Sequence, residues 1–268
     1  MDIPFTTATS PTGFGVTKAF DTVRASQWIV TSPPATLEVY FGQGATPRTF
    51  PTLAVGVSNH NLATCGCDGI QVSRSDTYTS PSWTLITTLP APPNDNDHMW
   101  FVSTSFNKRA LKLGFVFGTP LANPAIGEIQ VGSAHDVTTS DETADKPFQS
   151  SLMQAVTLFD LPGGGQASII RPSRAEVCTF TFGAIPVATR DSLRQVWSES
   201  LAGGMPCFAH THRHDGAEAW TNAGGTPNVS HGGAYYGRIL SADFNEATVE
   251  SRFSTALSFR REMGAYDV

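Results

Sequence analysis

The densest concentration of reactive side chains in this 268-residue chain is FAHTHRHDGAEAW. If that stretch continues as a strand, His210, His212 and His214 fall on the same side as Phe208, since alternate residues share a face. Two imidazoles spaced His-x-His can grip one metal ion, and Glu218 supplies a carboxylate as a third ligand. The bland reading is a polar strand end that picks up zinc or nickel adventitiously, and the sequence favours it: no metal site is assigned. Four cysteines, Cys65, Cys67, Cys178 and Cys207, follow neither the spacing of a zinc pair nor that of a secreted disulfide framework. They read as small buried or turn residues.

A nucleophile finds even less support. Ser58, His60, Asp68 and Asp76 include the residue types of a hydrolytic triad, but no Gly-x-Ser-x-Gly elbow accompanies them. SNHN reads instead as a hairpin that hydrogen-bonds itself. The glycines at 163–165 lack the Lys-Ser/Thr of a phosphate loop and read as a hairpin turn. Acidic residues lie in loops and a linker, so no carboxylate pair is placed across a cleft. Trp83, Trp100 and Tyr78 could stack on sugars, although a β-sandwich more often buries them. No catalytic residue and no cofactor is expected, and no ligand-binding residue is assigned.

The elements that carry these residues are short strands. Charged residues make up 15% of the chain, against 24 glycines, 18 prolines and 17 phenylalanines, a balance that suits turns and strands over long helices. A net charge of −6 leaves no basic footprint for nucleic acid or for an anionic membrane surface. No apolar run reaches the roughly 20 residues needed to span a bilayer. The start MDIPFTTATSPTG has no charged-then-apolar signal pattern, so synthesis in the cytoplasm is expected.

The first part is organised around 53–76, where Leu53, Val55 and Val57, then Ile70 and Val72, flank SNHNLATCGCDG as an apparent hairpin. Residues 1–27 read as an arm or edge region. Trp28–Val30 and the alternating TLEVYFG precede the hairpin; WTLITTL, MWFVSTSF, RALKLGFVFG and IGEIQVG follow it. Leu111, Leu113, Phe115 and Phe117 share one face. Residues 135–150 are acidic and aperiodic and read as a linker. Beyond them come MQAVTLFDL, then EVCTFTFGAIP with Cys178, Phe180 and Phe182 on one face. One helix follows in ATRDSLRQVWSESLAGG, capped by Thr189 or Asp191, striped by Leu193, Val196, Trp197 and Leu201, and stopped at Gly203. MPCFAHTHRH, YYGRILSADF and VESRFSTALSFRREM close the chain as strands. No internal repeat aligns the two halves.

ASQW, then VGVSNHNLATCGCDGIQVSRSDT, then RALKLGF with PAIGEIQVG, resemble the galactose-binding-like (discoidin-type) sandwich found in bacteriophage tail proteins. In the second part, Arg174, Glu176, Phe180 and Phe182, the helix with Trp197, and Gly204, Pro206 and Phe208 resemble the belt-type domain of phage distal-tail and baseplate proteins. A histidine cluster stands where those proteins often carry an aromatic residue.

The resemblance implies a mainly β chain. A galactose-binding-like jelly-roll β-sandwich with an N-terminal arm spans 1–134, the linker 135–150, and a distal-tail-like β domain with one helix 151–268. It further implies a structural virion protein of a tail tip or baseplate, a homo-oligomer contacting other tail proteins and presenting a carbohydrate-binding domain. A host-glycan-binding adhesin is one alternative. A metal-dependent cupin-like enzyme using His210, His212 and His214 is another, and the cupin spacing fails twice. Counting from Gly204 leaves Glu218 one residue too far on, and counting from His212 puts Pro206 where glycine is needed.

Overall fold

The computed structural model describes residues 7–9, 13–14, 18–19, 27–31, 35–40, 47–50, 53–77, 80–92, 94–95, 97–102, 106–119, 122–133, 149–160, 166–200, 204–210, 234–245 and 253–262. The chain divides into two compact units. One comprises Met1–His135 with Phe208–Tyr235 and Gly264–Val268, the other Asp136–Cys207 with Tyr236–Met263.

In the first unit the strands are β1 (Thr7–Thr9), β2 (Gly13–Phe14), β3 (Trp28–Val30), β4 (Ala35–Tyr40), β5 (Arg48–Phe50), β6 (Leu53–His60), β7 (Cys67–Ser75), β8 (Thr84–Pro90), β9 (His98–Val102), β10 (Phe106–Lys108), β11 (Ala110–Phe117) and β12 (Ala125–Ser133). They form two five-stranded antiparallel sheets, ordered β1-β4-β11-β7-β8 and β2-β3-β12-β6-β9, with β10-β5 as a small ribbon. The expected jelly-roll sandwich is present. Its core interleaves Leu37, Ile70, Val72, Leu111, Leu113 and Phe115 of one sheet with Trp28, Val55, Val57, Trp100, Ile126 and Ile129 of the other. Trp28 meets Phe115 edge-on at 5.8 Å between ring centroids, a favourable aromatic geometry. Phe117 lies beyond a register shift at Val116/Phe117 and only partly joins this core. Two pieces of the N-terminal arm are edge strands, β1 against β4 and β2 against β3.

The apparent hairpin of residues 53–76 is corrected by the pairing. β6 bonds to β12 and β9 in one sheet, whereas β7 bonds to β11 and β8 in the other. Residues 61–66 are therefore an arch crossing the roughly 10 Å between stacked sheets. Leu62, fully buried, joins the core beneath it, and Cys65 is buried in the same turn. Local apolar alternation is the same for strands that pair and strands that face each other, which is why the two arrangements read alike.

The second unit is built on β13 (Gln149–Asp160), β14 (Gln166–Ile185), α1 (Val187–Glu199), only Cys207 of β15 (Cys207–His210), β16 (Ala234–Asn245, from Tyr236 onward) and β17 (Phe253–Glu262), with strand order β13-β14-β17-β16. This is the β-rich part with one helix that the sequence leads one to expect. β13 begins inside the expected linker, because Gln149 and Ser150 pair with Thr179 and Cys178. β14 runs well upstream of Glu176. Its ladder with β13 jumps from Gln154↔Arg174 to Val156↔Ile170, and Pro172, which has no N–H to give a ladder, sits in the jump. A Cβ at Gly237 would collide with the Arg260 carbonyl of β17, so this position admits only glycine.

The helix ends also differ from expectation. Its N-cap is Pro186, extended at φ −70°, with no side-chain cap bond; Thr189 is buried and Asp191 pairs with its neighbour Arg190. It stops at Ser200, not Gly203: Ser200 N donates to Val196 O at 2.9 Å and Ser200 Oγ to Trp197 O at 2.9 Å. Those bonds satisfy carbonyls a helix end leaves open. Leu193 is buried against Phe182 and Ile185, Val196 and Trp197 are half-buried, and Leu201 lies outside the described residues. The guanidinium groups of Arg190 and Arg194 lie over the rings of Phe253 and Phe244 at 4.1 and 5.3 Å, within cation–π range. Among the described residues no helix is long and apolar enough to cross a membrane.

Candidate functional site

Four chain connections meet at one end of the sandwich. Val30 N donates to Pro124 O, Ala35 pairs with Phe115, His60 with Ile126, and Val57 with His98, so Thr31, 61–66, 91–92, 94–95, Asp97, 118–119 and 122–124 share a rim. Each of the four crosses from one sheet to the other. Loops held by a rigid scaffold are where binding residues concentrate.

The arch 61–66 is a single helical turn with both ends closed. Cys65 N donates to Asn61 O, Gly66 N to Ala63 O and Cys67 N to Leu62 O at 2.9–3.0 Å. Gly66 has φ 74°, and this pattern is a Schellman ending, which requires a left-handed residue that glycine adopts without strain. At the other end Asp95, from the β8–β9 loop, accepts from Ala63 N (2.8 Å), Thr64 N (3.2 Å) and the Thr64 hydroxyl. An aspartate from another loop thus does the work of an N-cap.

Asn61 clasps the neighbouring arch. Its main-chain N–H donates to Ala125 O, its Oδ1 accepts from Ala125 N at 2.7 Å, and its Nδ2 donates to Asn123 O. Ser58 Oγ donates to buried Asp97 at 2.7 Å. Asn59 adopts φ 50°, a left-handed value that asparagine tolerates, and its carbonyl accepts from Gln27 Nε2. His60 is fully buried; its Nδ1 accepts from Leu62 N at 3.3 Å and lies 3.9 Å from Asp95.

These contacts bear on the candidate triad. Ser58 is committed to Asp97, and His60 Nδ1 to its own turn; Asp68 is exposed, and Asp76 pairs with Lys108 at 2.7 Å at the opposite end of the sandwich. The structure does not bring Ser58, His60, Asp68 and Asp76 together as a triad. Three of the thiols are not poised to react either. Burial, then the Asp95 carboxylate, push Cys65 up; burial pushes Cys67 up to about 11 and Cys207 up to about 12. A thiol held protonated is neither a good nucleophile nor a metal ligand.

His210 ends β15, while His212, His214, Glu218, Gly225 and His231 lie outside the described residues. So do the glycines at 163–165, which connect strands whose last pair is Asp160↔Gln166. Among the described residues no group of three or more His, Cys, Asp or Glu could hold a metal ion. Of the aromatic candidates, Trp100 is wholly buried, Trp83 is half-buried with Lys112 Nζ 4.9 Å above its ring, and Tyr78 lies outside the described residues. The site residue that sequence reasoning missed is Asp95, whose partners lie 31 and 32 residues away.

No protein-family model matches the sequence, and no curated protein matches it. Among solved structures, one that is similar is chitosan-binding module 1 of a chitosanase/glucanase from Paenibacillus sp. IK-5, 21% identical, covering 48% of this chain and 95% of that one at a TM-score of 0.37. A family 32 carbohydrate-binding module of NanJ from C. perfringens, solved with galactose, is 15% identical over 47% of this chain and 91% of its own, at 0.37. A pectin-binding module is 15% identical over 49% and 92%, at 0.38. Likeness of that size transfers no ligand to this chain.

Proposed function

We propose that the protein is a non-catalytic structural virion protein of a bacteriophage tail tip or baseplate, present in several copies, whose sandwich contacts host-surface glycan through its rim. The observation that carries the binding part is the bracing of that rim. Asp95, Asn61, Ser58 and Asp97 use their polar atoms to fix three inter-sheet arches against one another. A pre-fixed loop cluster loses little freedom when a ligand settles on it, which favours recognition. Among the described residues, Thr64, Asn94, Thr119 and Asn123 are exposed polar residues of these arches. The tail assignment draws on the sequence resemblance of 26–132 and of the later strand–helix–strand pattern.

The test pairs two measurements on the full, tag-free chain. A glycan array that includes chitosan-type, galactose-bearing and pectin-type sugars should give binding that Asn123→Trp, which fills the rim, weakens at least tenfold. Antibody labelling of purified phage particles should decorate the tail end. An array silent at high protein concentration removes the glycan role, and particles without label remove the virion role.

A further inference from the structure

The far end of the β13/β14 hairpin differs from the rest of its sheet. Among the described residues β14 pairs with β17 only from Ala175 onward, whereas its pairing with β13 continues to Asp160↔Gln166. Past the jump at Gln154/Val156, residues 156–160 and 166–170 pair only with each other among the described residues. An isolated two-stranded ribbon is marginal in water; three or more strands are needed for independent stability.

The two edges of this ribbon are not equivalent in sequence. The β14 edge leads into Arg171, Pro172 and Arg174, and both proline and positive charge discourage strand addition. β13 is terminal in its sheet, runs for 12 residues and contains no proline, lysine or arginine. Its only charge is Asp160, at its last position. It therefore lacks the charge and proline by which natural edges are blunted, although its register shift separates 149–154 from the tip.

We propose that residues 156–160 of β13 pair antiparallel with the same residues of a second copy, about a two-fold axis at Leu158. The pairing matches in length and sequence by symmetry, as isologous interfaces do. It sets Val156 opposite Asp160 and Thr157 opposite Phe159, so the two Asp160 carboxylates stand at opposite ends. A parallel pairing would bring them together, and like charges directly opposite are unfavourable. Two marginal ribbons become one four-stranded sheet, ordered β14-β13-β13-β14 across the axis. This specifies one contact within the multimeric role proposed above, and its test involves neither glycan nor phage particle.

Light scattering on the full chain should report twice the 28.6 kDa chain mass, or a larger even multiple. Leu158→Cys should form an interchain disulfide under mild oxidation, because facing residues lie within disulfide reach. Val156→Cys should not, since its opposite neighbour is Asp160. Leu158→Lys, which sets like charges on the axis, should halve the mass. An equimolar mixture of Leu158→Lys and Leu158→Glu proteins should restore it, a rescue that a misfolded variant would not give. A monomeric parent protein, or a Leu158→Lys protein of unchanged mass, overturns the proposal. Should 156–160 instead receive a strand from another protein, the parent chain alone would be monomeric, which also overturns it.

Discussion

The sandwich and the second unit solve the problem of an exposed sheet face differently. In the sandwich each sheet covers the other, and the core holds two whole tryptophans, Trp28 and Trp100, with Phe106, Phe115 and a layer of Leu, Ile and Val. In the second unit one helix lies on a sheet, and the described cluster beneath it comprises Phe182, Ile185 and Leu193, with Phe180, Phe244, Phe253 and Leu257 half-covered. Cys178, Tyr236, Ile239 and Phe259 are buried besides. A core that closes on itself needs no partner, whereas a single sheet with one helix on it and long edges gains from one. The lesson is that sheet count matters less than what each face and edge meets.

The largest expected effect tests whether the two cores stand apart. Phe115→Ala should cost about 3–5 kcal/mol, the range for truncating a buried aromatic. In urea it should move only the transition reported by Trp28 and Trp100. Leu193→Ala should cost about 2 kcal/mol, near the low end for a buried leucine whose surroundings can partly collapse, and move the transition reported by Trp197. One shared transition that both substitutions shift equally would break the comparison.

A smaller effect sharpens what the rim contributes. Asp95→Ala removes this cap from the Ala63 and Thr64 amides, at about 0.5–2 kcal/mol. Amide exchange at Ala63 and Thr64 should accelerate while exchange in β17 stays unchanged. Equal acceleration in both units would mean the bracing is not local to the sandwich.

How much of this was legible follows from where each residue's partners lie. The alternation of Leu111, Leu113 and Phe115 depends on the chain beside it, and the structure places all three in the core. The helix was visible for the same reason, since Thr189 and Leu193 stand one turn apart on its buried side. Its ends were not: Thr189 looked like a cap by residue type, but its backbone is already helical and Pro186 precedes it. The arch could not be told from a hairpin, because only the distant partners of β6 and β7 put those strands in different sheets. Pro172 looks like a strand end, yet β14 passes through it at a register jump. At the rim, SNHN reads as a hairpin that binds itself, but 58–60 belong to β6, Ser58 bonds to Asp97 and Asn61 to the chain at 123–125, while His60 bonds its own turn. The residue that fixes the arch beyond it, Asp95, arrives from another loop. Nothing local marks that aspartate among the neighbouring Asn and Asp residues.

The smallest effect concerns the thiols, and its sign can be worked out. In the fold, burial holds Cys67 protonated up to about pH 11, while a thiol in an unfolded chain ionises near 8.5. Between those values the unfolded chain binds fewer protons than the native one, so stability falls as pH rises. The contribution is fully present below about pH 8.5 and drains away towards pH 11. Other groups titrate in this window, so the diagnostic quantity is a difference. Cys67→Ala should flatten the pH slope of the sandwich transition and leave that of the second unit unchanged. Burial of Cys207 predicts the same behaviour there, with its upper limit near 12. Iodoacetamide should label neither thiol in the native protein at pH 8 within the time that it labels the urea-unfolded chain. Fast native labelling of Cys67 would mean that the arch opens readily, and the rim would then not be the fixed platform that recognition requires.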